Sequence, residues 1–544
     1  MRNVQDIYPL SPTQQGLLFH SLLAPGTGIY VPQVILTLSG SLDADHLRSA
    51  WERALQRHTV LRTGFQWEQR EEAFQVVYRE APLNWVEHDW SSSLAEEQAA
   101  KLKALRAANR TEPFDLHRPS LMRLHLIHCS DKGHFLLWCY HHLILDGWSA
   151  SRVLKEILED YLISPIGTSL APSQPPKQSR YAEYIAWLKQ QDSSLAESFW
   201  KQRLASSSNR NSVSEALADV STHNERLTGM GEAVMELSLT DTGELRAFAK
   251  ANALTLNTIL LGSFGLLLNR YHDEREILLG TTVSGRPSSL PNAMSMVGLF
   301  INTLPVRVQL NPTLSIKAWL RAIQYEQSEA APFEHVSLRD IQTWTNDGKP
   351  LFDCLFVLES YPVPTDNSGS ASGLQLENVD FDEWTHFPLT FLAFEGDHLV
   401  FKAKYQEPRF AKELIESLLS QVKLVIQQLV RQAHLPVSHV GLLSEADSVQ
   451  RTSWNHTESK WADEGTTLGD LMAKHAASES VAVSFKGETM SHCTLHQRAE
   501  QLARRLRSYQ VGPETQVAIY LERGLNLPIA ILATLKAGAA YVPL

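Results

Sequence analysis

The residues of this sequence best suited to chemistry are two adjacent histidines followed at a fixed distance by an aspartate and a glycine. They lie in the stretch Tyr140-His141-His142-Leu143-Ile144-Leu145-Asp146-Gly147-Trp148. An imidazole is the one side chain whose unperturbed pKa allows it to take up and return a proton near neutral pH. The spacing His-His-x-x-x-Asp-Gly is more specific than a lone histidine, which after a buried strand is more often a structural core residue. Catalytic and structural interpretations both stay open at this point.

The elements on either side would position this stretch. Residues 134–139 are apolar and aromatic and predict a buried strand, and residues 149–163 carry apolar side chains at helical spacing. The histidines therefore lie on a loop that is held by rigid elements, a usual place for catalytic side chains. Adjacent histidines on extended backbone point to opposite sides, so they cannot easily share one ion, and we expect no metal site.

Composition limits the classes of function. The chain has 544 residues, too many for one compact core, and a formal net charge of −11, which argues against nucleic-acid or anionic-membrane partners. Its four cysteines are scattered and predict neither disulfides nor a zinc site, as is typical of a reducing cytoplasm. The N-terminal residues lack the apolar core of a signal peptide, and no apolar run is long enough to cross a bilayer. We expect a cytoplasmic protein.

In the first part of the chain, Ser11 is the expected N-cap of a helix with Pro12 at its first position. A strand over 31–38 and a helix capped by Asp43 follow. Arg62 precedes another strand, and it is of interest because a buried Asp146 would need a cation as partner. A solvated surface arginine is the equally open alternative.

The second part repeats the alternation of strands and helices from residue 233. Before it lie a linker over 164–180, rich in Pro, Ser and Gly, and a polar stretch over 209–224 that predicts a surface loop. Ser284-Gly285-Arg286-Pro287 interrupts the pattern, and Gly298 in an apolar run indicates close approach of another backbone or a bulge. Residues 361–373 predict a solvent-exposed or crossing loop. The pattern favours an α+β protein with two similar halves and a cleft between them.

Five motifs follow one another along the chain: Ser11-Pro12-Thr13-Gln14-Gln15-Gly16, Arg57-His58-Thr59-Val60-Leu61-Arg62, His141-His142-Leu143-Ile144-Leu145-Asp146-Gly147, Tyr181-Ala182-Glu183-Tyr184-Ile185-Ala186-Trp187 and Val297-Gly298-Leu299-Phe300-Ile301-Asn302-Thr303. In this order they resemble the condensation domain of nonribosomal peptide synthetases over about residues 1–440. The tail, with its segment 453–457 and two motifs at 494–499 and 535–544, resembles the linker and the start of an adenylation domain. The phosphate-binding loop of that domain is absent from the sequence, so we expect no ATP binding.

The resemblance implies a two-lobed, chloramphenicol-acetyltransferase-like pseudodimer, V-shaped, with a tunnel between the lobes and segments near Ser284 and after Tyr361 that cross between them. The implied N-terminal lobe covers 1–172 and the C-terminal lobe 173–440. A linker over 441–462 and a truncated, partial α/β adenylation subdomain over 463–544 complete the expected organisation.

The resemblance also implies the reaction and its residues. An acceptor α-amine attacks a donor thioester, and His142 takes the amine proton or holds the amine and the tetrahedral centre. His141 is then structural, and Asp146 pairs with Arg62 to shape the loop. Gly147 lets a pantetheine arm or a backbone pass closely. Further residues are expected to line or gate the tunnel: Trp148, which alternatively packs under the following helix, Ser284 and Gly298.

No cofactor is expected to be bound by the domain itself, because the substrates arrive on phosphopantetheine or coenzyme A. The sequence has no Gly-x-Ser-x-Gly motif and no cysteine at a motif position, so no acyl-enzyme is expected. The expected partners are an acceptor peptidyl carrier protein and either a donor carrier protein in trans or an acyl-CoA. A starter domain that N-acylates the first amino acid, an elongation domain, and a non-catalytic recruitment domain of the same fold remain alternatives.

Overall fold

The structure is a computed structural model that describes residues 3–68, 72–130, 133–163, 179–205, 213–220, 229–272, 274–346, 348–360, 374–459 and 465–544. The chain divides into two compact units, Met1–Ser444 and Glu445–Leu544. The larger unit carries the histidine loop and contains two lobes, each with its own central sheet.

The first lobe places the histidine loop between a strand and a helix, as the sequence predicts. Its elements are β1 (Val4–Pro9), α1 (Pro12–Leu23), β2 (Gln33–Ser39), α2 (Ala44–Arg57), a 3-10 turn (Thr59–Arg62), β3 (Thr63–Gln66), β4 (Phe74–Tyr78), β5 (Trp85–Asp89), α3 (Ala95–Thr111), β6 (Met122–His128), β7 (Gly133–Tyr140) and α4 (Gly147–Ile163).

The remaining elements of the larger unit are α5 (Tyr181–Leu188), α6 (Ser193–Leu204), α7 (Val213–Val220), β8 (Met230–Glu236), α8 (Leu239–Asn252), α9 (Leu256–His272), β9 (Glu276–Val283), a 3-10 turn (Ala293–Ser295), β10 (Asn302–Gln309), α10 (Ile316–Ala330), a 3-10 turn (Ala331–Phe333), α11 (Leu338–Asn346), β11 (Cys354–Glu359), β12 (Gln375–Asp382), β13 (Leu389–Phe394), β14 (Val400–Gln406), α12 (Lys412–Arg431) and a 3-10 turn (Val437–His439). They belong to the second lobe, except for β12, α5 and the 3-10 turn 293–295, which pack with the first lobe.

The sheet of the first lobe has the strand order β12-β2-β7-β6-β5, and a smaller sheet β1-β4-β3 lies beside it. Trp51 of α2 packs edge-on against Trp138 of β7 at 4.9 Å between ring centroids, and both side chains are fully buried. Apolar side chains of α4 complete this core. Because β7 and α4 both contribute to it, the loop that joins them is fixed at its two ends.

The sheet of the second lobe has the order β10-β9-β11-β13-β14-β8. Helix α9 is apolar on all sides because it lies in the middle of this core, between the sheet and α12. The polar stretch over 209–224 was predicted as a surface loop, and this prediction was wrong for α7. Val213 and Leu217 are spaced one helical turn apart and are buried against α9, which stabilises a helix there.

Two segments from the second half of the sequence return to the first lobe. Strand β12 pairs antiparallel with β2, with Phe381 opposite Val34. Residues 284–301 contribute Leu290, Met296 and Phe300 to the core of the first lobe. The expected crossing near Ser284 therefore agrees with the packing, whereas residues 361–373 lie outside the described part of the chain.

The smaller unit is a separate α/β body. Its elements are α13 (Glu445–Trp454), α14 (Leu468–Ala473), β15 (Val481–Phe485), β16 (Glu488–Ser491), α15 (His492–Ser508), β17 (Gln516–Ile519), α16 (Asn526–Lys536) and β18 (Ala540–Pro543). Helices α15 and α16 form its apolar core. Across the described residues of the whole chain, no single helix has the length and composition to span a membrane, although the pair α8 and α9, bent by 110°, has them jointly.

Candidate active site

The histidine loop is held by backbone hydrogen bonds to three other segments. The N–H of His142 donates to Tyr30 O at 2.9 Å, the N–H of His141 to Leu121 O at 2.9 Å, and the N–H of Asp146 to Gly298 O at 3.2 Å. These contacts fix the direction in which each side chain leaves the loop. The two imidazoles consequently have different surroundings.

His142 is 4 % exposed and lies against the crossing segment that follows β12. Its Nε2 is 3.0 Å from Oε1 of Glu383, and the ring of Tyr30 approaches it edge-on at 6.3 Å. Burial has the largest single effect and would lower the pKa of His142, but the charge and hydrogen bond of Glu383, with smaller contributions from the loop backbone and Asp146, together outweigh it and raise the pKa to about 9. His142 is therefore an imidazolium at neutral pH when no substrate is present.

His141 points the other way and stays neutral. Its Nδ1 accepts a hydrogen bond from the N–H of Leu143 at 3.2 Å, and its Nε2 lies 3.3 Å from Oγ of Ser21. Complete burial, together with the positive charge of His142, lowers the pKa of His141 to about 3. An imidazole that is neutral and bonded at both nitrogens supports the loop and has no free nitrogen for a substrate.

Asp146 is completely buried and organises the start of α4. Its Oδ1 accepts from the N–H of Ser149 at 2.7 Å, and its Oδ2 accepts from the N–H of Phe300 at 2.9 Å. The cation that compensates its charge is Arg286, whose Nη2 is 3.4 Å from Oδ1. Arg286 is held in turn by Ser149 Oγ at 2.8 Å and by a stacking contact with the ring of Phe300.

The predicted pairing of Asp146 with Arg62 is therefore wrong. Arg62 is buried, and its guanidinium donates to Leu55 O at 2.9 Å and Gln56 O at 3.1 Å in the last turn of α2, to the carbonyls of Tyr78 and Arg79, and to Oε1 of Gln5 at 3.0 Å. Carbonyl oxygens at a helix C-terminus attract a cation, so Arg62 needs no carboxylate.

The remaining predicted residues surround the same loop. Gly147 is buried and begins α4. Trp148 is half-buried, and its Nε1 donates to Met294 O at 3.4 Å, so it contacts the 3-10 turn 293–295. Ser284 lies at the end of β9, where its Oγ accepts from the N–H of Arg286 at 3.5 Å. A Cβ at Gly298 would lie 2.3 Å from the ring of Tyr181, so the close approach at Gly298 is made by a side chain.

Two other motifs contact this loop or the segment beside it. Gln14 donates from Nε2 to Leu143 O at 2.9 Å, and Ser11 caps α1 in a capping box with Gln14, as the sequence predicts. Tyr181 donates from Oη to Leu299 O at 2.5 Å. Two segments distant in sequence thus support the loop and the segment that holds Asp146.

The sequence reasoning missed Glu383 and Tyr30, and it did not recognise Arg286 as the partner of Asp146. Glu383 carries no local signal, because it follows a strand whose partner lies some 340 residues earlier in the chain. Arg286 stands in a Ser-Gly-Arg-Pro break, and a buried aspartate does require a cation. A search for such a cation among arginines in irregular segments would have included it.

A cavity of about 560 Å³ lies between the lobes beside α4. The first lobe contributes apolar walls from β2, β7 and α4, and the second contributes the turn between β13 and β14 and the end of β11. The lining residues are Val34, Trp138, Ala150, Ser151, Leu154, Glu359, Asn378, Val379, Asp380, Phe381, Phe394, Glu395, Gly396, Asp397, His398, Val400 and Lys402.

Nothing in the described residues offers a metal site or an activated thiol near this loop. No group of three or more His, Cys, Asp or Glu side chains has the geometry of a metal site in the described part of the chain. Cys139 is buried in the first lobe, and burial raises the pKa of its thiol to about 12.

Comparison with known proteins identifies the families that the chain matches. The Condensation domain family matches residues 4–450, and the AMP-binding enzyme family matches residues 472–544. One linear gramicidin synthase protein of Brevibacillus parabrevis is 35% identical over 100% of this chain, and surfactin synthase subunit 3 of Bacillus subtilis is 32% identical over 99%. The chain spans 11% and 42% of the lengths of these two relatives.

Solved structures share the fold at low sequence identity. The first condensation domain of the calcium-dependent antibiotic synthetase, in complex with a substrate analogue, has a TM-score of 0.68 and 16% identity and covers 81% of this chain and 100% of its own. The starter condensation domain of rhizomide synthetase has a TM-score of 0.64 and 15% identity, over 80% and 98%. The teicoplanin X-domain in complex with OxyB has a TM-score of 0.63 and 19% identity, over 81% and 97%.

The fold of the larger unit is thus the chloramphenicol-acetyltransferase-like fold of these domains, as the sequence predicts. Its family assignment rests on sequence similarity over most of the chain. This protein belongs to the condensation-domain family of nonribosomal peptide synthetases, and its condensation domain is followed by the start of an AMP-binding domain.

Proposed function

We propose that the larger unit forms an amide bond between a donor acyl or peptidyl thioester and the α-amine of an aminoacyl thioester on a carrier protein. The amine nitrogen attacks the thioester carbon, a C–N bond forms, the C–S bond breaks, and the donor's thiol leaves with a proton. The observation that carries this proposal is the intact His-His-x-x-x-Asp-Gly loop, with His142 between the first lobe and the crossing segment.

His142 is the proposed catalytic residue. An α-amine has a pKa of about 8, so an appreciable fraction is already neutral near pH 7.5. The imidazolium of His142 can then hold the reacting groups and stabilise negative charge at the tetrahedral centre, while proton transfer is shared with solvent. The transfer is proposed to be direct, without an acyl-enzyme; Cys139 and Cys354 of the larger unit are buried, and Cys129 is partly exposed.

The substrates are proposed to arrive on phosphopantetheine arms or on coenzyme A, with no cofactor held by the domain itself. The acceptor is then an aminoacyl carrier protein, and the donor is a second carrier protein in trans or an acyl-CoA. We assign the cavity beside α4 to the acyl chain of the donor, because α4 follows the histidine loop in the chain and supplies part of the cavity's apolar wall. Its volume lies within the usual range of pockets for small molecules.

Starter and elongation roles differ in the donor. One structural neighbour is a starter condensation domain solved with C8-CoA and Leu-SNAC, and this likeness concerns the fold. Purified protein, given an aminoacyl-loaded acceptor carrier, is offered octanoyl-CoA in one reaction and an acylated donor carrier in another. Amide product from the acyl-CoA indicates a starter domain, and product from the donor carrier alone indicates an elongation domain.

The second candidate function is recruitment of a partner enzyme without catalysis. It is favoured by one observation, the similarity of the fold to the teicoplanin X-domain in complex with OxyB. Against it stands the complete histidine motif, whose second imidazole is held by Glu383. Absence of amide product from both donors, by a folded protein, would favour recruitment.

A further inference from the structure

The carboxylate of Glu383 is the anion in contact with His142 among the described residues. Oε1 of Glu383 lies 3.0 Å from Nε2 of His142, and the side chains are 16% and 5% exposed. Nε2 is the ring nitrogen farther from the backbone, so this contact fixes the tip of the imidazole. The carboxylate reaches it from the segment that leaves the first lobe's sheet after β12.

Both neighbours of Glu383 are held by one arginine of α3. The guanidinium of Arg110 forms an ion pair with Asp382 and lies 4.3 Å from the ring centroid of Trp384. Asp382 also receives Nζ of Lys404 at 2.6 Å, from the second lobe. Because both of its neighbours are anchored, Glu383 has little freedom to move. Both lobes contribute contacts that hold it against His142.

The backbone on the other side of His142 is tied to the same segment. Tyr30 accepts from the N–H of His142 at 2.9 Å and donates its own N–H to Trp384 O at 3.1 Å. Tyr30 has a left-handed backbone conformation, with φ of 62°. A conformation this rare for a large residue is kept where surrounding contacts require it. The backbone of Tyr30 therefore holds both the residue that carries the imidazole and the segment that carries the carboxylate.

Among the titratable groups around His142, Glu383 contributes most to raising the pKa of the imidazole. His141 is neutral, and burial lowers the pKa of His386 to about 3. Burial raises the pKa values of Tyr30 and Tyr140, so both phenols are neutral. The remaining carboxylates in this environment are Asp146, which is compensated by Arg286, and Glu359 near Tyr140.

We propose that Glu383 is a positioning residue of the condensation reaction, which holds the imidazole of His142 in one orientation and stabilises its protonated form. The inference rests on the proposed function, because it assigns His142 to that reaction. It follows that His142 enters the reaction as a cation and not as a free base. The acceptor amine then has to reach it in its neutral form.

The variant Glu383→Gln keeps the size of the side chain and removes its charge. Without the carboxylate, burial is the main remaining influence on His142 and disfavours the imidazolium, so its pKa falls by about two units or more. At pH 7.5 we expect amide formation to fall about tenfold or more in kcat, with the acceptor KM changed less than about twofold. Glu383→Asp keeps the charge, so both the pKa of His142 and kcat should lie between the values of Glu383→Gln and of the parent protein.

The matched control is Glu377→Gln, an exposed glutamate of β12 that bonds to Ser39. The titration of His142 is followed by NMR on imidazole-labelled protein, with His142→Gln for assignment, and needs no turnover. An unchanged titration in Glu383→Gln overturns the inference, and so does a shifted titration with unchanged kcat and pH profile. A shifted titration combined with no amide product from the parent protein supports the pairing and overturns the proposed function instead.

Discussion

Two ion pairs lie near the histidine loop, and they differ in how deeply they are buried. Asp146 and Arg286 are 0% and 1% exposed in their side chains and are surrounded by backbone donors and acceptors. Glu383 and His142 are less deeply buried and lie at the crossing segment. A fully buried pair fixes structure, since its separation would leave a desolvated charge. The pair of Glu383 and His142 keeps a small exposed fraction, 16% and 5% of the two side chains.

The corrected pairing of Asp146 can be measured by double-mutant cycles. We expect Asp146→Asn and Arg286→Met each to lower the free energy of unfolding by about 3 kcal/mol or more, because each leaves the other group buried and uncompensated. The double variant should lose less than the sum, with a coupling energy of about 1–3 kcal/mol. Chemical denaturation of the four proteins provides the values.

The control cycle replaces Arg286→Met by Arg62→Met. Arg62 donates to Leu55 O and Gln56 O and shares none of the described partners of Asp146, so the effects of losing Arg62 and Asp146 should add within about 0.5 kcal/mol. Strong coupling of Asp146 with Arg62, together with additivity for Arg286, would contradict the arrangement described above.

The raised pKa of His142 also predicts how stability depends on pH. The folded-state pKa of about 9 lies above the ordinary value near 6.5, so the ion pair with Glu383 stabilises the fold fully below about pH 6.5. That contribution, about 1–3 kcal/mol, is lost as the pH rises through about 9. Denaturant unfolding of the parent and of His142→Gln between pH 6 and pH 9.5 should therefore give curves that approach each other at alkaline pH. Curves that diverge as pH rises would be inconsistent with the pairing.

At the scale of elements, the site depends on the segment 284–301 packing against α5. Gly298→Ala would place a methyl group 2.3 Å from the ring of Tyr181, which is fully buried and cannot move freely. We expect a loss of about 1–3 kcal/mol in the free energy of unfolding. The comparison variant is Gly243→Ala on α8, where nothing lies within 4 Å and helix propensity favours alanine. Equal stability of the two variants would argue against close packing at Gly298.

The wall that α4 gives to the cavity leads to a prediction about the donor. Ser151→Phe would fill part of the space beside Leu154 and Trp138, so we expect kcat/KM for long acyl donors to fall about tenfold relative to acetyl. Lys155→Phe, on the exposed face of the same helix, serves as control. Chain-length preference is measured by mass spectrometry of competing donors. An unchanged chain-length preference in Ser151→Phe would contradict the assignment of the cavity to the donor's acyl chain.

The sequence could predict the loop and its flanking elements because their signals are local. The apolar run of β7, the helical spacing in α4 and the cap of α1 by Ser11 are all read within about fifteen residues. The partners Arg286 and Glu383 come from segments that cross between lobes, and no local pattern shows which arginine or glutamate will be buried. Arg62 was favoured by its motif position, although its partners are backbone carbonyls.

At the scale of the whole molecule, the two lobes are joined because the second half of the sequence contributes a strand and core residues to the first lobe. Strand β12 completes the first lobe's sheet, and residues 284–301 complete its core. The histidine loop contributes His142, and its ionic partner comes from the second half. The segment that carries Glu383 is anchored to the first lobe through β2 and Arg110 and to the second lobe through Lys404.

The most direct measurement of the central claim is amide formation by the parent protein and by His142→Ala. Each is given a loaded acceptor carrier with octanoyl-CoA and with a donor carrier, at pH 7.5, and products are followed by intact-protein mass spectrometry. The account predicts amide product from the parent with at least one donor. It predicts a loss of about a hundredfold or more in His142→Ala, which should keep the parent's far-UV circular dichroism. Turnover by His142→Ala at the parent's rate would contradict it.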